Sequence, residues 1–248
     1  MDPVDIGDGL AVADIGGRPV ARGGRLRRGQ LYRISGALVG HDDLAHLGKL
    51  GLRTLFDLRS EVEDRDRLAG WAAEQGIDYR HVPISVGRLS DLESSANQVA
   101  SSAEAAAAVM RTIYHRIVDE HGAALAAVAD AMVDGLPAGF GCAAGKDRTG
   151  VLAALLQAAA GVDEAGIVED YCTLAPDVER LRAILGNWMP DVARHGPGID
   201  TLLGAAEETM HDTLAHLSDG WGGAAGFLEA HGLAPDRLRL LRDRLIEP

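Results

Sequence analysis

Apolar residues recur along this chain in two rhythms: strand-length runs dominate the first third, and helix-period stripes dominate the rest. Leu10–Val12, Arg18–Val20 and Leu31–Ile34 are β-prone pieces in a glycine-rich stretch and read as small edge strands or hairpins. His41-Asp42-Asp43 then caps an amphipathic helix with Leu44, Leu47 and Leu50 on one face, closed by Gly51. Arg53-Thr54-Leu55-Phe56 predicts a strand that stops at Asp57, and Asp57 and Ser60 predict caps for an acidic helix through Leu68. Tyr79–Ile84 predicts the next strand, with Pro83 near its end. Strand, helix, strand is the pattern of an α/β fold.

Residues 85–102 are serine-rich and weakly patterned, as expected of a loop or lid segment. A helical pattern follows from Ala103 to Asp134, broken at His121-Gly122. Ala138–Cys142 predicts a short strand, and Thr149–Ala160 predicts a helix that is apolar on most faces and hence central. Further helices are predicted over Asp163–Leu174, Asp177–Trp188, Thr201–Leu217, Trp221–His231 and Pro235–Ile246. No period of self-similarity appears, so the chain is not a repeat array. One domain over residues 1–248 accounts for the pattern.

Between the short strand and the central helix lies Cys142-Ala143-Ala144-Gly145-Lys146-Asp147-Arg148-Thr149-Gly150. A strand that delivers the chain into a tight loop, with Gly145 free of a Cβ, lets successive backbone N–H groups face inward. The N-terminus of the next helix adds partial positive charge, so the loop is built for an anion. A cysteine at the rim of such a field is favoured as the nucleophilic thiolate. The Arg148 guanidinium can fork two oxygens of a phosphoryl group, and the Thr149 hydroxyl can bond the sulfur and ease its departure. Ala143 to Arg148 is the candidate phosphate cradle, and Lys146 adds a cation inside it. The nucleotide-binding G-x4-G-K-[ST] loop is excluded, because Phe140 stands where its first glycine would be and Asp147 follows Lys146.

This loop resembles that of an atypical bacterial tyrosine-phosphatase family whose members carry His-Cys-x-Ala-Gly-Lys-Asp-Arg-Thr-Gly. Leu31-Tyr32-Arg33 followed by Ser35-Gly36, Asp57-Leu58-Arg59-Ser60 and the Tyr171-bearing helix are similar to it too. The resemblance implies a phosphotyrosine-phosphatase-like central sheet flanked by helices, with extra C-terminal helices and lid helices at about 177–217. It also implies that the Leu-x-Arg piece bearing Arg33 lies near the phosphate loop. Two departures stand out. Gly141 replaces the family's histidine, and Ala11-Val12-Ala13-Asp14-Ile15-Gly16-Gly17 lacks the asparagine and arginine of the corresponding family segment.

The implied reaction runs through a phosphocysteine on Cys142, with Arg148 and the loop amides holding the equatorial oxygens. Two residues compete for the acid. The family points to Asp57, and Asp147 inside the loop is the rival acid or a positioning group. Asp119, upstream in a helical pattern, reads as solvated, and Cys172 as a small core residue. Lys146 points to substrates with a second anionic group, such as phosphoinositides, beside phosphotyrosine.

Composition narrows the partners. Hydrophobic residues make up 47% of the chain, enough for a core, but aromatics only 4%, so that core is one of small residues and packed helices. A net charge of −13 excludes a general nucleic-acid binder. Six arginines between Arg18 and Arg33 read as a solvated hairpin face or as a patch for acidic headgroups. Two cysteines make no disulfide framework, and the histidines show no metal-ligand spacing, so neither metal nor cofactor is expected. The N-terminus lacks a Sec-type leader and no apolar run reaches membrane length, so a cytoplasmic protein is expected, with non-Sec export left open. The expected partners are a phosphorylated protein, a phosphoinositide or a small phosphate ester. Two alternatives remain: a phosphatase for a small phosphorylated metabolite, and a catalytically weak phosphate-binding module.

Overall fold

A computed structural model describes residues 12–36, 40–86, 102–175, 177–179, 181–183 and 196–248. Five strands form the central sheet in the order β1, β3, β6, β4, β5. They are β1 (Val12–Asp14), β3 (Leu31–Ser35), β6 (Ala138–Cys142), β4 (Thr54–Asp57) and β5 (Asp78–His81). β1 runs antiparallel to β3, and the other four are mutually parallel. The α/β class and the helix-flanked sheet expected from the sequence are therefore what the chain adopts.

Register explains where chemistry can occur. Ser35 lies opposite Cys142, Asp57 opposite Gly141 and His81 opposite Asp57, so the carboxyl ends of four parallel strands share one edge. In open parallel sheets that edge is where ligands bind, beside the point where strand order reverses. Here β6, late in the chain, inserts between β3 and β4. Its last residue is Cys142.

Alternation along the strands sorts side chains between two cores. Leu31, Phe56 and Phe140 face one, with the long helix α3 (Ala103–Gly135) and the central helix α4 (Asp147–Ala160). Tyr32, Ile34 and Leu55 face the other, with α1 (His41–Leu47) and α2 (Asp66–Glu74). α4 is buried on nearly every side, as its all-round apolar sequence demands. The first core is completed by α5 (Glu164–Thr173), α7 (Glu207–Trp221), α8 (Ala224–Ala230) and α9 (Pro235–Leu245). α6 (Pro197–Leu203) straddles the boundary, with Leu202 packed against both cores.

Several expectations shift. The helix anticipated after Asp57 begins only at Asp66; residues 58–65 form a loop in which Glu63 accepts from both the backbone N–H and the hydroxyl of Ser60. Asp57 caps nothing, because its carboxylate turns to Arg59. The break expected at His121 is present: its backbone leaves the helical region (φ −122°, ψ 18°), and two helical stretches meet there across a kink. The helix expected over Thr201–Leu217 is two helices, interrupted at Gly204. The C-terminal helix gives way to a short strand, β7 (Ile246–Glu247), which pairs with β2 (Arg25–Leu26) in the arginine-rich segment. No local pattern announces a pairing between chain ends. Trp188, Met189, most of the expected 85–102 loop and half of the expected Asp177–Trp188 helix lie outside the described residues. Among the described residues no helix is long and apolar enough to cross a membrane.

Candidate active site

The loop after β6 is held in shape by its own residues and by β3. Gly145 adopts a φ of 70°, the left-handed region, and a Cβ there would come within 2.3 Å of the Ser35 hydroxyl. The turn therefore needs glycine twice over. Cys142 sits at the strand end, 1% exposed, and the Thr149 hydroxyl donates to its Sγ at 3.2 Å. The sequence expectation for Thr149 is met in its geometry.

Arg148 is anchored by a residue the sequence reading missed. Its Nη1 and Nη2 fork the Glu63 carboxylate at 2.6 and 2.9 Å, and Nη1 also reaches the carbonyls of Ile84 and Leu58 at 3.3 and 3.4 Å. A bidentate pair fixes the plane of the guanidinium. Among the described residues no protein atom accepts from its Nε, which stays available to an anion in the loop. Burial works against the Glu63 charge, but the hydrogen bonds and charge of Arg148 win and hold its carboxyl at about 2. One local signal for Glu63 existed, the Ser-x-x-Glu spacing from Ser60, which resembles a helix capping box.

The two candidate acids occupy different environments. Asp57 is 1% exposed. It accepts from Arg59 Nε at 3.0 and 3.1 Å, from Arg59 Nη2 at 2.5 Å, from the Arg59 backbone N–H at 3.0 Å and from the Tyr79 hydroxyl at 2.8 Å. Burial pushes its carboxyl up, yet Arg59 overcomes this and holds it below the ordinary value. Asp57, the acid that the resemblance points to, is thus a carboxylate engaged by Arg59 and Tyr79. Asp147, the first residue of α4, accepts from Tyr114 alone among the described residues, at 2.9 Å, and lies 3.4 Å from Lys146 Nζ. Its side chain keeps 27% exposure.

Lys146 also differs from expectation. It is 2% exposed, and its Nζ donates to the carbonyls of Leu202 and, at 3.0 Å, Gly204. It thus caps the carboxyl end of α6, where the helix dipole favours a cation, instead of pointing a free charge at substrate. α6 is thereby tied to the loop after β6.

Behind the loop is a polar layer. The Tyr114 and Tyr171 hydroxyls lie 2.7 Å apart, and burial first, with Asp147 next, keeps both phenols protonated well above their usual range. Arg33 Nη2 donates to the Gly145 carbonyl at 2.9 Å and Nη1 reaches the Asp170 carbonyl at 3.4 Å, so Arg33 does lie against the loop. Gly141, where the resembling family has histidine, is pinched by β3: an added Cβ would stand 2.1 Å from the Ile34 carbonyl oxygen. A side chain there would force the strands apart. Among the other arginines of the segment, Arg18 is paired with Glu169 and Asp170.

A strand-end cysteine on an amide-lined loop, bonded by a threonine and overlooked by a carboxylate-braced arginine, defines a cysteine-based phosphate-handling site. Residues 12–247 match the model of the tyrosine phosphatase family, and the chain belongs to that family. It is 32% identical to the triple specificity protein phosphatase PtpB of Mycobacterium tuberculosis, over 79% of this chain and 76% of the relative. A Cupriavidus necator protein provisionally named a tyrosine-protein phosphatase is 33% identical over 64% of this chain, and the match spans only 58% of that relative's length. A tyrosine-protein phosphatase of Nostoc commune is 26% identical over 89% of this chain. Among solved structures, the catalytic core of the Saccharomyces cerevisiae PP-IP phosphatase Siw14 aligns over 71% of this chain with a TM-score of 0.35 and 14% identity.

Proposed function

We propose that this protein is a cysteine-dependent phosphatase that hydrolyses phosphate monoesters through a phosphocysteine, with protein phosphotyrosine as the principal substrate class. The observation that carries the reading is the joint placement of Cys142 Sγ, 3.2 Å from the Thr149 hydroxyl, and Arg148, forked by Glu63 on the same loop. Sγ attacks phosphorus as the ester P–O bond breaks. Arg148 Nε and the inward amides of residues 143–148 hold the equatorial oxygens, whose charge must be stabilised in the transition state. Asp147 gives its proton to the leaving oxygen and then takes one from the water that attacks the phosphocysteine. The Thr149 hydroxyl donates to sulfur as it departs. Breadth toward phosphoserine, phosphothreonine or phosphoinositides is supported by the triple specificity named for the mycobacterial relative. The free thiols Cys142 and Cys172 favour a reducing, cytoplasmic setting.

The test is phosphate release from p-nitrophenyl phosphate across pH 5–8 in four proteins: wild type, Cys142→Ser, Asp147→Asn and Asp57→Asn. Cys142→Ser abolishes turnover. Asp147→Asn lowers kcat by ~10²–10⁴ and flattens the basic limb of the profile, as loss of a general acid does. Asp57→Asn keeps that limb; losing it there instead would return the acid role to Asp57. The net charge of −13 supports a second reading, a small phosphorylated metabolite as substrate, since an acidic surface repels acidic phosphoproteins. A higher kcat/KM for sugar phosphates than for phosphotyrosyl peptides would establish it.

A further inference from the structure

Arg33 stands out as a buried cation without an anion. It is 3% exposed and projects from β3 beside Phe140, on the face covered by α4 and α5. Among the described residues it forms no ion pair, and its Nε has no hydrogen-bond partner. Both bonds that it makes go to carbonyl oxygens, those of Gly145 and Asp170. The nearby Asp170 carboxylate is already taken: Arg18 Nε and Gln157 Nε2 donate to it at 2.7 and 2.6 Å, and Arg18 Nη2 lies 2.5 Å away. Desolvation lowers the Arg33 pKa, while the hydroxyls of Tyr114 and Tyr171, the sulfur of Cys142 and, least, the charge of Asp170 act the other way. A buried guanidinium without a counter-charge is costly, and such groups collect at functional sites, where an anion completes them.

We propose that Arg33 is a positioning residue of the phosphate loop. Its Nη2 bond to the Gly145 carbonyl holds the left-handed corner so that the loop amides face the phosphate, and its charge supports the Cys142 thiolate from behind. The inference rests on the phosphatase reading of the same loop. In the resembling family a histidine precedes the nucleophile; here Gly141 leaves no room for one, and Arg33 is a cation that the fold places against the Gly145 corner of the same loop.

The experiment is iodoacetamide alkylation of Cys142 as a function of pH, alongside turnover and thermal melting, in wild type, Arg33→Met and Arg33→Lys. In Arg33→Met the pH of half-maximal alkylation rises by about one unit, so the rate near pH 6 falls ~10-fold while the alkaline plateau is unchanged. Arg33→Lys keeps the charge and the alkylation profile but loses the planar guanidinium that bonds the Gly145 and Asp170 carbonyls, so KM for p-nitrophenyl phosphate rises more than its alkylation changes. A merely structural arginine would lower the melting temperature and leave the profile where it was; that outcome overturns the proposal. If Arg33→Met does not fold, Arg33→Lys decides alone: unaltered alkylation with raised KM supports the proposal, and unaltered KM refutes it. A wild-type Cys142 that alkylates only above pH 8 would overturn the phosphatase reading itself, a result distinct from either.

Discussion

The two flanks of the phosphate loop reach rigidity by opposite means. On the β4–α2 flank, charge meets charge: Glu63 forks Arg148, and Arg59 clasps Asp57. Both carboxyls are held below their ordinary values by their arginines, against the effect of burial. On the α3–α5 flank the groups are mostly neutral: Tyr114 and Tyr171 share a hydrogen bond, and Arg33 rests on carbonyl oxygens. Paired charges hold a guanidinium in one plane while leaving an edge free for substrate. The carboxylates that border the desolvated polar layer, Asp147 at Tyr114 and Asp170 near Arg33, already accept from other donors, which leaves Arg33 on carbonyl oxygens.

Breaking the charged flank should do the greater damage. Arg148→Met removes the fork for the transferring phosphoryl group and should lower kcat/KM by ~10²–10³, measured with p-nitrophenyl phosphate. Glu63→Gln leaves Arg148 present but unplaned, and a misplacement near 1 Å predicts a loss of up to ~10²-fold, with the melting temperature reporting the lost pair separately. The same variant sharpens the comparison through pH. Glu63 has a folded pKa of about 2 against 4.5 for the free group, so its contribution to stability is complete above about 4.5 and is lost as pH falls toward 2. Asp57 shifts in the same direction. Urea denaturation at pH 7 and pH 3 should show the wild type losing more stability than Glu63→Gln over that interval; equal losses would place the acid sensitivity elsewhere. The neutral flank should respond most mildly. Tyr114→Phe removes one hydrogen bond to Asp147 and one to Tyr171, predicting a loss of ~1–2 kcal/mol in stability and a several-fold fall in kcat without a shift in the alkylation profile of Cys142.

Legibility in the sequence followed chain distance. Cys142, Arg148 and Thr149 fall within one loop, where spacing alone brings them together once a strand precedes and a helix follows. The all-apolar helix α4 was legible for the same reason, since its burial follows from its own residues. Glu63 was not, because its partner lies 85 residues away; it stands among Glu61, Asp64 and Asp66, and its one local signal, the spacing from Ser60, points to a helix cap and not to Arg148. Lys146 was misassigned because a long flexible side chain goes wherever acceptors are, and those belong to α6, more than fifty residues on. The pairing of β2 with β7 was equally invisible.

By itself, then, the sequence determined the α/β order of elements, the phosphate loop and its nucleophile, because strand and helix periodicity and a nine-residue motif are local properties. The tertiary structure alone decided which of 37 acidic residues braces Arg148, which aspartate is locked to an arginine and which is left accessible, and that Arg33 stays without a counter-charge. Those choices depend on which side chains meet at the carboxyl edge of the sheet, and only the folding of distant segments onto that edge makes them.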